Sequence, residues 1–306
     1  MIRIEAGDGR IPFNLKMTVE GMAIYLDNFA LIGLAKGDAV RRGRFINILK
    51  GGSAEILFSV ANAVELVGPE GRSRDLVMGF LREIGRHWYP VKLNTFEACD
   101  MELKGIKGGT AFTESDLARV FFKIKVTNCG RDNKLVVFDD DFFSLDALVQ
   151  WLATGKDRLV SDNRKLDESL DRKITEYRAE IKRDPSWIDR SFRELPFRND
   201  MAATFVYVNL IRNLLRDRGF RVKQGDGMDF CHAVFGSAFA SIATLDKQWK
   251  RRVEELPQPN GLAPIYYKPQ LDQMVENLES ACVKYNAARA QGMEPGKIRI
   301  SRTVLQ

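Results

Sequence analysis

Residues 23–35 read AIYLDNFALIGLA: a short, continuous apolar run ends at Asp27, and a helical pattern follows it. A continuous apolar strand that leads directly into a helix is typical of a parallel sheet covered by helices on both faces. The same succession occurs at 55–67 and again at 239–256. Three such units predict an α/β doubly wound core.

The composition is that of an ordinary folded chain. Of its 306 residues, 45% are apolar and 29% are charged, which is typical of globular domains. The 47 Lys+Arg against 41 Asp+Glu leave a formal charge of +6, which permits a polyanionic partner without requiring one. No apolar run approaches the ~20 residues of a membrane span, and the cysteines form no C-x-x-C pair that would predict structural zinc. We therefore expect a cytoplasmic protein with reduced thiols and no membrane partner.

The domain organisation follows from changes in pattern along the chain. Residues 1–20 alternate around a Gly-Asp-Gly turn, which predicts an N-terminal β-hairpin. Residues 21–256 contain the three strand-to-helix units, and they predict a Rossmann-like three-layer core with a parallel central sheet. Within this core, residues of about 101–218 are predicted to form a large, mainly helical insertion. Prolines at the start of 257–306 predict a C-terminal arm followed by a helix.

Acidic residues follow the predicted strands where an α/β sheet binds its ligands. Asp27 and Asp246 each stand at the end of an apolar strand, and Glu65 lies about one helical turn after the remaining strand. Asp229, with Asp226 nearby, stands at the start of a predicted helix. Because the carboxyl ends of parallel strands share one edge, we expect these carboxylates to converge. Converging carboxylates repel one another unless a cation joins them, and Mg²⁺ and Mn²⁺ prefer such oxygen ligands. One or two of these ions would support hydrolysis of a phosphodiester by water.

Each acid also has a structural explanation. Asp27, Asp229 and Asp246 stand where helices begin, and Asp is favoured there as an N-cap residue or as an acid of the first turn. Glu65 lies on an otherwise apolar helical stretch, where an unpaired carboxylate is costly if it is buried. The metal-site hypothesis therefore depends on the whole set of acids and not on any single one.

Four segments resemble the motifs of PIN and PIN-like nuclease domains. Residues 24–32, IYLDNFALI, look like the opening strand and first acid of that family. Residues 57–66, LFSVANAVEL, resemble its second motif, in which an acid lies one turn past a strand. Residues 229–233, DFCHA, and 242–246, IATLD, are similar to its third and fourth motifs. The segments occur in the family's order.

The resemblance implies a metal-dependent nuclease with a PIN-like core. It favours an endoribonuclease over a deoxyribonuclease. It covers about residues 21–100 and 219–256, and the long insertion has no counterpart in it. A toxin or a defence effector would be compatible with it. In this resemblance Thr244 orients ligands, and Asp226 is an additional candidate metal ligand. The implied catalytic and metal-binding residues, which would hold Mg²⁺ or Mn²⁺, are Asp27, Glu65, Asp229 and Asp246.

Basic residues flank the predicted metal site in the sequence. Such side chains contact phosphate groups, but solvated surface charge is an equal alternative. His232 shares a helix face with Asp229 and is either a phosphate contact or a hydrogen-bonded structural histidine. The candidate phosphate contacts are Arg41, Arg42, Arg44, Lys247, Lys250, Arg251, His232 and Thr244.

Two other classes of function remain open at this point. One is a catalytically inactive PIN-like scaffold that binds nucleic acid or a protein partner, although the presence of all four acids argues against it. The other is a Mg²⁺-dependent α/β phosphohydrolase that acts on a small molecule, although Asp27-Asn28-Phe29-Ala30 lacks the usual D-x-D pattern. The insertion and the C-terminal arm allow a protein partner or a homo-oligomer.

Overall fold

The described strands form two sheets. This computed structural model describes residue 19 and residues 21–67, 71–105, 144–153, 156–257 and 261–291, together with the strand backbones at 2–6, 13–17 and 303–305. The strands are β1 (Ile2–Ala6), β2 (Phe13–Met17), β3 (Met22–Tyr25), β4 (Ala54–Phe58), β5 (Trp88–Pro90), β6 (Ile242–Thr244), β7 (Ile265–Tyr266) and β8 (Thr303–Leu305). Five of them form an all-parallel sheet in the order β5–β4–β3–β6–β7, and the other three form an antiparallel sheet in the order β1–β2–β8.

Helices make up most of the remaining described structure. Two short 3-10 helices, Asn199–Met201 and Lys268–Gln270, lead into longer helices. The α-helices are α1 (Asn28–Lys36), α2 (Ala39–Lys50), α3 (Val60–Leu66), α4 (Gly71–Ile84), α5 (Thr95–Leu103), α6 (Leu145–Ala153), α7 (Lys156–Arg183), α8 (Trp187–Ser191), α9 (Ala202–Arg216), α10 (Asp226–Phe239), α11 (Lys247–Glu254) and α12 (Leu271–Ala290).

The predicted α/β class with a parallel central sheet is confirmed. β3 pairs with both β4 and β6, so the three strands found in the sequence are neighbours. Every residue of β4 is buried, as expected for a parallel strand covered on both faces. The edge strands β5 and β7 have only three and two residues, which is too short for a periodic signal in the sequence.

The described part of the C-terminal segment, residues 261–291, belongs to the core. This corrects the prediction that an arm begins at residue 257. After the prolines, β7 extends the central sheet beside β6, and α12 then packs against α1 and α2. Leu271, Met274 and Leu278 of α12 are at most 3% exposed. The apolar residues of α12 therefore belong to the buried core, where they pack against α1 and α2. The strand-like residues 297–300 lie outside the described residues.

The insertion is helical where it is described, and it packs on the core. Its central helix, α7, buries Leu170 and Ile174 and contacts α3, α9 and α10. Charged residues on its other face form ion pairs such as Arg164–Glu168 at 3.2 Å, in agreement with the amphipathic pattern. Residues 106–143 of the insertion lie outside the described residues. Among the helices that are described, none is long and apolar enough to cross a membrane.

Candidate metal centre

The order of the strands reverses between β3 and β6. In a doubly wound sheet, ligands bind in the crevice at the carboxyl ends of the strands where this reversal occurs. The strands on one side of β3 follow it directly in the chain, whereas β6 and β7 on the other side come after the insertion. Asp27 follows β3 and Asp246 follows β6, so these two acids stand on either side of the crevice.

Asp27 and Asp246 are both helix caps, as the structural alternative predicted. The amide of Asn28 donates to Asp27 Oδ1 at 2.5 Å, and the amide of Trp249 donates to Asp246 Oδ1 at 2.7 Å. Both caps use Oδ1, which leaves Oδ2 of each carboxylate for a cation. A capping role and a ligand role are therefore compatible. The Asp27 amide also donates to Thr244 Oγ1 at 2.8 Å, which ties the ends of β3 and β6 together.

The start of α3 places Glu65 beside Asp27. Ser59 and Asn62 form a capping box, in which the Asn62 amide donates to Ser59 Oγ at 3.2 Å and the Ser59 amide donates to Asn62 Oδ1 at 3.0 Å. Asn62 Nδ2 donates to the carbonyl of Leu26 at 3.1 Å, so the first turn of α3 is fixed against the end of β3. Glu65 lies three residues further along, on the same face of the helix.

Asp229 lies in the first turn of α10 and is not its N-cap. The helix begins at Asp226 rather than at residue 230, and its N-cap is Gly225 with φ +95°, a left-handed conformation that glycine adopts without strain. Asp226 closes the preceding turn, because its Oδ2 accepts a hydrogen bond from the Lys223 amide at 2.7 Å. Asp229 is therefore an acid of the first helical turn, which is the other structural explanation, and it does not cap the helix.

A residue of the insertion holds the start of α10 in place. Asp167 of α7 accepts hydrogen bonds from the amides of Gly225 at 3.0 Å and Gly227 at 2.8 Å. The carboxylate thereby caps a helix to which it does not belong, where the helix dipole favours negative charge. The insertion consequently positions Asp229, a role that the sequence did not predict.

Two acids and a histidine form the tightest group at the crevice. A carboxylate oxygen of Asp27, one of Glu65 and a ring nitrogen of His232 all lie within 4.8 Å of one another. Asp229 and Asp246 interact with this group electrostatically, since Asp246 raises the pKa of Asp27, and Asp27, Asp246 and Glu65 raise the pKa of Asp229. The sequence-predicted acids are therefore brought to one edge of the sheet.

The acids shift one another's proton affinity in the direction expected for a crowded site. Burial, and then the charge of Asp246, raise the pKa of Asp27 to about 6. Burial and the charge of Asp27 raise the pKa of Glu65 to about 7. Burial, followed by the charges of the other acids, raises the pKa of Asp229 to about 8. Among the described residues, no Lys or Arg forms an ion pair with any of these carboxylates.

Tyr25 of β3 and His232 of α10 lie beside the acids, and no pattern in the sequence indicated a role for Tyr25. The hydroxyl of Tyr25 hydrogen-bonds to Nδ1 of His232, and both side chains are at most 1% exposed. Burial lowers the pKa of His232 to about 4, so its ring is neutral at physiological pH. Thr244 is also fully buried. Because both side chains are buried, the hydrogen-bonded alternative is favoured for His232, and a phosphate contact by His232 or Thr244 stays a prediction.

Most of the predicted basic contacts already have acidic partners within the chain. Arg41, Arg42 and Arg44 pair with acids on α4 and α12, while Lys250 and Arg251 pair within α11. These pairs hold helices to one another or stabilise single turns. Among the described residues, Lys247 has no ion pair, and it directly follows Asp246. Lys247 is thus the basic residue best placed to contact a ligand at the crevice.

The side chains at the crevice suit a divalent cation. Crowded carboxylates without a compensating Lys or Arg are stabilised by a cation, and Nε2 of His232 is a buried nitrogen with no hydrogen-bond partner among the described residues. Comparison of the chain with protein-family models, with characterised proteins and with solved structures finds no match. The site therefore has to be interpreted from its own geometry and chemistry.

The raised pKa values predict how the metal-free protein responds to pH. A carboxyl whose pKa is raised in the folded state stabilises the fold below its unfolded pKa and loses that contribution as pH rises through the folded value. For Asp229 this interval runs from about 4 to about 8. In EDTA, Asp229→Asn is therefore expected to be more stable than the wild type at pH 8, by about 1–3 kcal/mol.

Thermal denaturation of both proteins in EDTA between pH 5 and pH 8 measures this difference. The advantage of Asp229→Asn is expected to grow with pH, and added Mn²⁺ is expected to raise the Tm of the wild type alone. A difference between the two proteins that stays constant with pH would contradict the proposed crowding of charges.

Proposed function

We propose that the chain is a metal-dependent nuclease that hydrolyses phosphodiester bonds, with RNA as the preferred substrate. The observation that carries this proposal is the convergence of Asp27, Glu65, Asp229 and Asp246 at the switch point of a parallel sheet, without a neutralising basic residue among those described. The similarity of the four segments to PIN-like motifs supports the same function. Both lines of reasoning select the same four acids.

The residues around the site have distinct tasks in this proposal. Asp27 and Glu65, with their oxygens within 4.8 Å, would hold Mg²⁺ or Mn²⁺, and Asp229 and Asp246 would complete the negative field around the ion. A divalent cation supplies Lewis acidity to a phosphoryl group and makes water a stronger nucleophile. The charge of a bound cation would offset the repulsion that raises the pKa values of the acids, so the acids would release their protons when it binds.

Lys247 would orient the substrate. It begins α11 directly after the capping Asp246, and it borders a cleft of about 400 Å³ formed with Asp217, Arg251 and Arg252. A phosphate of the nucleic-acid backbone that lies at this cleft would contact Lys247, which directly follows Asp246 in the chain. The remaining basic side chains of the cleft are held by ion pairs, so we assign the phosphate contact to Lys247 alone.

Cleavage of labelled oligonucleotides tests the function. The full chain is incubated with single-stranded RNA and with DNA of the same sequence, in Mn²⁺, in Mg²⁺ and in EDTA. We expect internal cleavage of RNA with a divalent cation and none in EDTA. Binding measured by fluorescence anisotropy without cleavage would favour the scaffold. Release of phosphate from p-nitrophenyl phosphate with intact RNA would favour the small-molecule phosphohydrolase, and cleavage that persists in EDTA would overturn the metal site.

Lys247→Ala is expected to raise KM for RNA about 5-fold to 10-fold and to leave kcat nearly unchanged, because a phosphate contact away from the reacting bond contributes to binding. Arg251→Ala is the matched control, since Arg251 is exposed and paired with Glu255 at 2.7 Å. Steady-state kinetics at two salt concentrations measures both variants. Equal effects of the two substitutions would contradict the assignment of Lys247.

A further inference from the structure

Two sets of hydrogen bonds lie behind the crevice, one at the start of α3 and one at His232. Asn62 Nδ2 donates to the Leu26 carbonyl, and the Ser59 amide donates to Asn62 Oδ1, so the two ends of the Asn62 amide group are identified unambiguously. Ser59 Oγ lies 2.7 Å from Asn62 Oδ1, and since that oxygen can only accept, the Ser59 hydroxyl must donate to it.

A separate hydrogen bond joins the hydroxyl of Tyr25 to Nδ1 of His232. When the oxygen of Tyr25 accepts this hydrogen bond, Nδ1 carries the proton of the neutral ring and Nε2 carries a lone pair.

The buried ring of His232 lies beside two of the acids. His232 is 1% exposed, and Nε2 has no hydrogen-bond partner among the described residues. A ring nitrogen of His232 lies within 4.8 Å of oxygens of both Asp27 and Glu65, and Nδ1 is already bound to Tyr25. A buried nitrogen acceptor left without a donor is costly, and a cation shared with the two carboxylates would satisfy it.

We propose that Nε2 of His232 is a direct ligand of the cation that Asp27 and Glu65 bind, and that the oxygen of Tyr25 accepts the Nδ1 proton and so fixes the ring in the tautomer required for this. The inference rests on the metal site of the proposed function and adds a nitrogen ligand to it. Imidazole suits transition-metal ions, whereas Mg²⁺ prefers oxygen ligands. The site is therefore selective for Mn²⁺ over Mg²⁺. Tyr25 is a positioning residue that acts through His232.

Pulsed electron paramagnetic resonance of the Mn²⁺-loaded full chain tests this ligand directly. An imidazole nitrogen bound to Mn²⁺ produces ¹⁴N modulation of the echo, and the chain has only two histidines as its sources. The other, His87, precedes β5 at the opposite edge of the sheet, so His87→Gln is the matched control. We expect the ¹⁴N modulation in the wild type and in His87→Gln, and its loss in His232→Gln.

Calorimetric titration with Mn²⁺ and with Mg²⁺ measures the selectivity. We expect Mn²⁺ to bind the wild type at least about 10-fold more tightly than Mg²⁺, and His232→Gln to remove most of that preference. Tyr25→Phe is expected to weaken Mn²⁺ binding about 10-fold while it keeps the ¹⁴N modulation, which separates a positioning residue from a ligand.

The wild-type spectrum decides the proposal even if a variant fails to fold. Bound Mn²⁺ without ¹⁴N modulation would overturn the role of His232 and leave the proposed nuclease function standing. Modulation without RNA cleavage would support the nitrogen ligand and reject the nuclease. Absence of Mn²⁺ binding at micromolar to millimolar concentrations would overturn both.

Discussion

Asp229→Asn is expected to lower Mn²⁺-dependent cleavage of RNA by at least about 10²-fold, without loss of folded protein. Asp229 does not cap its helix, and burial together with the neighbouring acids raises its pKa to about 8. The ionised carboxylate of Asp229 is therefore electrostatically unfavourable in the metal-free protein, and a bound cation would offset this unfavourable energy. The amide of Asn has the same shape but lacks the charge that holds the cation.

Two measurements separate this loss of activity from a loss of structure. Asp38→Asn makes the same chemical change at the N-cap of α2, an exposed position where Asn caps equally well, and we expect activity within about 2-fold of the wild type. Thermal denaturation in EDTA at pH 8 is expected to show Asp229→Asn at least as stable as the wild type. Wild-type cleavage rates in Asp229→Asn would remove this acid from the site.

Gly227→Ala is expected to destabilise the fold by about 3 kcal/mol and to weaken the metal site at the same time. A Cβ atom at Gly227 would lie 2.5 Å from the backbone carbon of Leu166 and 2.6 Å from the amide nitrogen of Asp167. Backbone atoms cannot rotate away as a flexible side chain can, so α7 would have to move off α10. That movement would also break the hydrogen bonds by which Asp167 caps α10.

Gly43→Ala is the matched control for this substitution. Gly43 lies within α2, and nothing lies within 4 Å of a Cβ added there. The change is therefore expected to stabilise the protein by about 0.5–1 kcal/mol, because alanine loses less backbone entropy in a helix. Denaturant unfolding and Mn²⁺ titration of both variants give the comparison. Equal stability of Gly227→Ala and the wild type would show that the insertion does not hold the site.

The sequence was most informative at the junctions where a strand is followed directly by a helix. The run at residues 23–26 predicted a buried parallel strand, and β3 lies at the centre of the sheet because both of its faces are covered. Asp27, Glu65 and Asp246 were selected by their positions after strands, and parallel packing brings the ends of those strands to one edge. A local pattern is sufficient here, because position along a strand determines position at the edge of the sheet.

Contacts between distant segments could not be read in the same way. Asp167 and Gly227 are 60 residues apart, and nothing in the sequence indicates that one caps the helix of the other. Tyr25 looked like an ordinary strand residue, yet it contacts a histidine 207 residues away. The C-terminal prolines suggested an arm because β7, with two residues, has no periodicity of its own.

The sequence by itself determined the α/β class, the order of its strand-to-helix units and the acids at their junctions, because these depend on local periodicity and on the shared direction of parallel strands. Only the tertiary structure decided that His232 and Tyr25 lie beside the acids, that α7 holds Asp229 in place, and that most of the basic residues are ion-paired. Those features depend on which distant surfaces pack together. Packing is a property of the whole chain and is not encoded in any single segment.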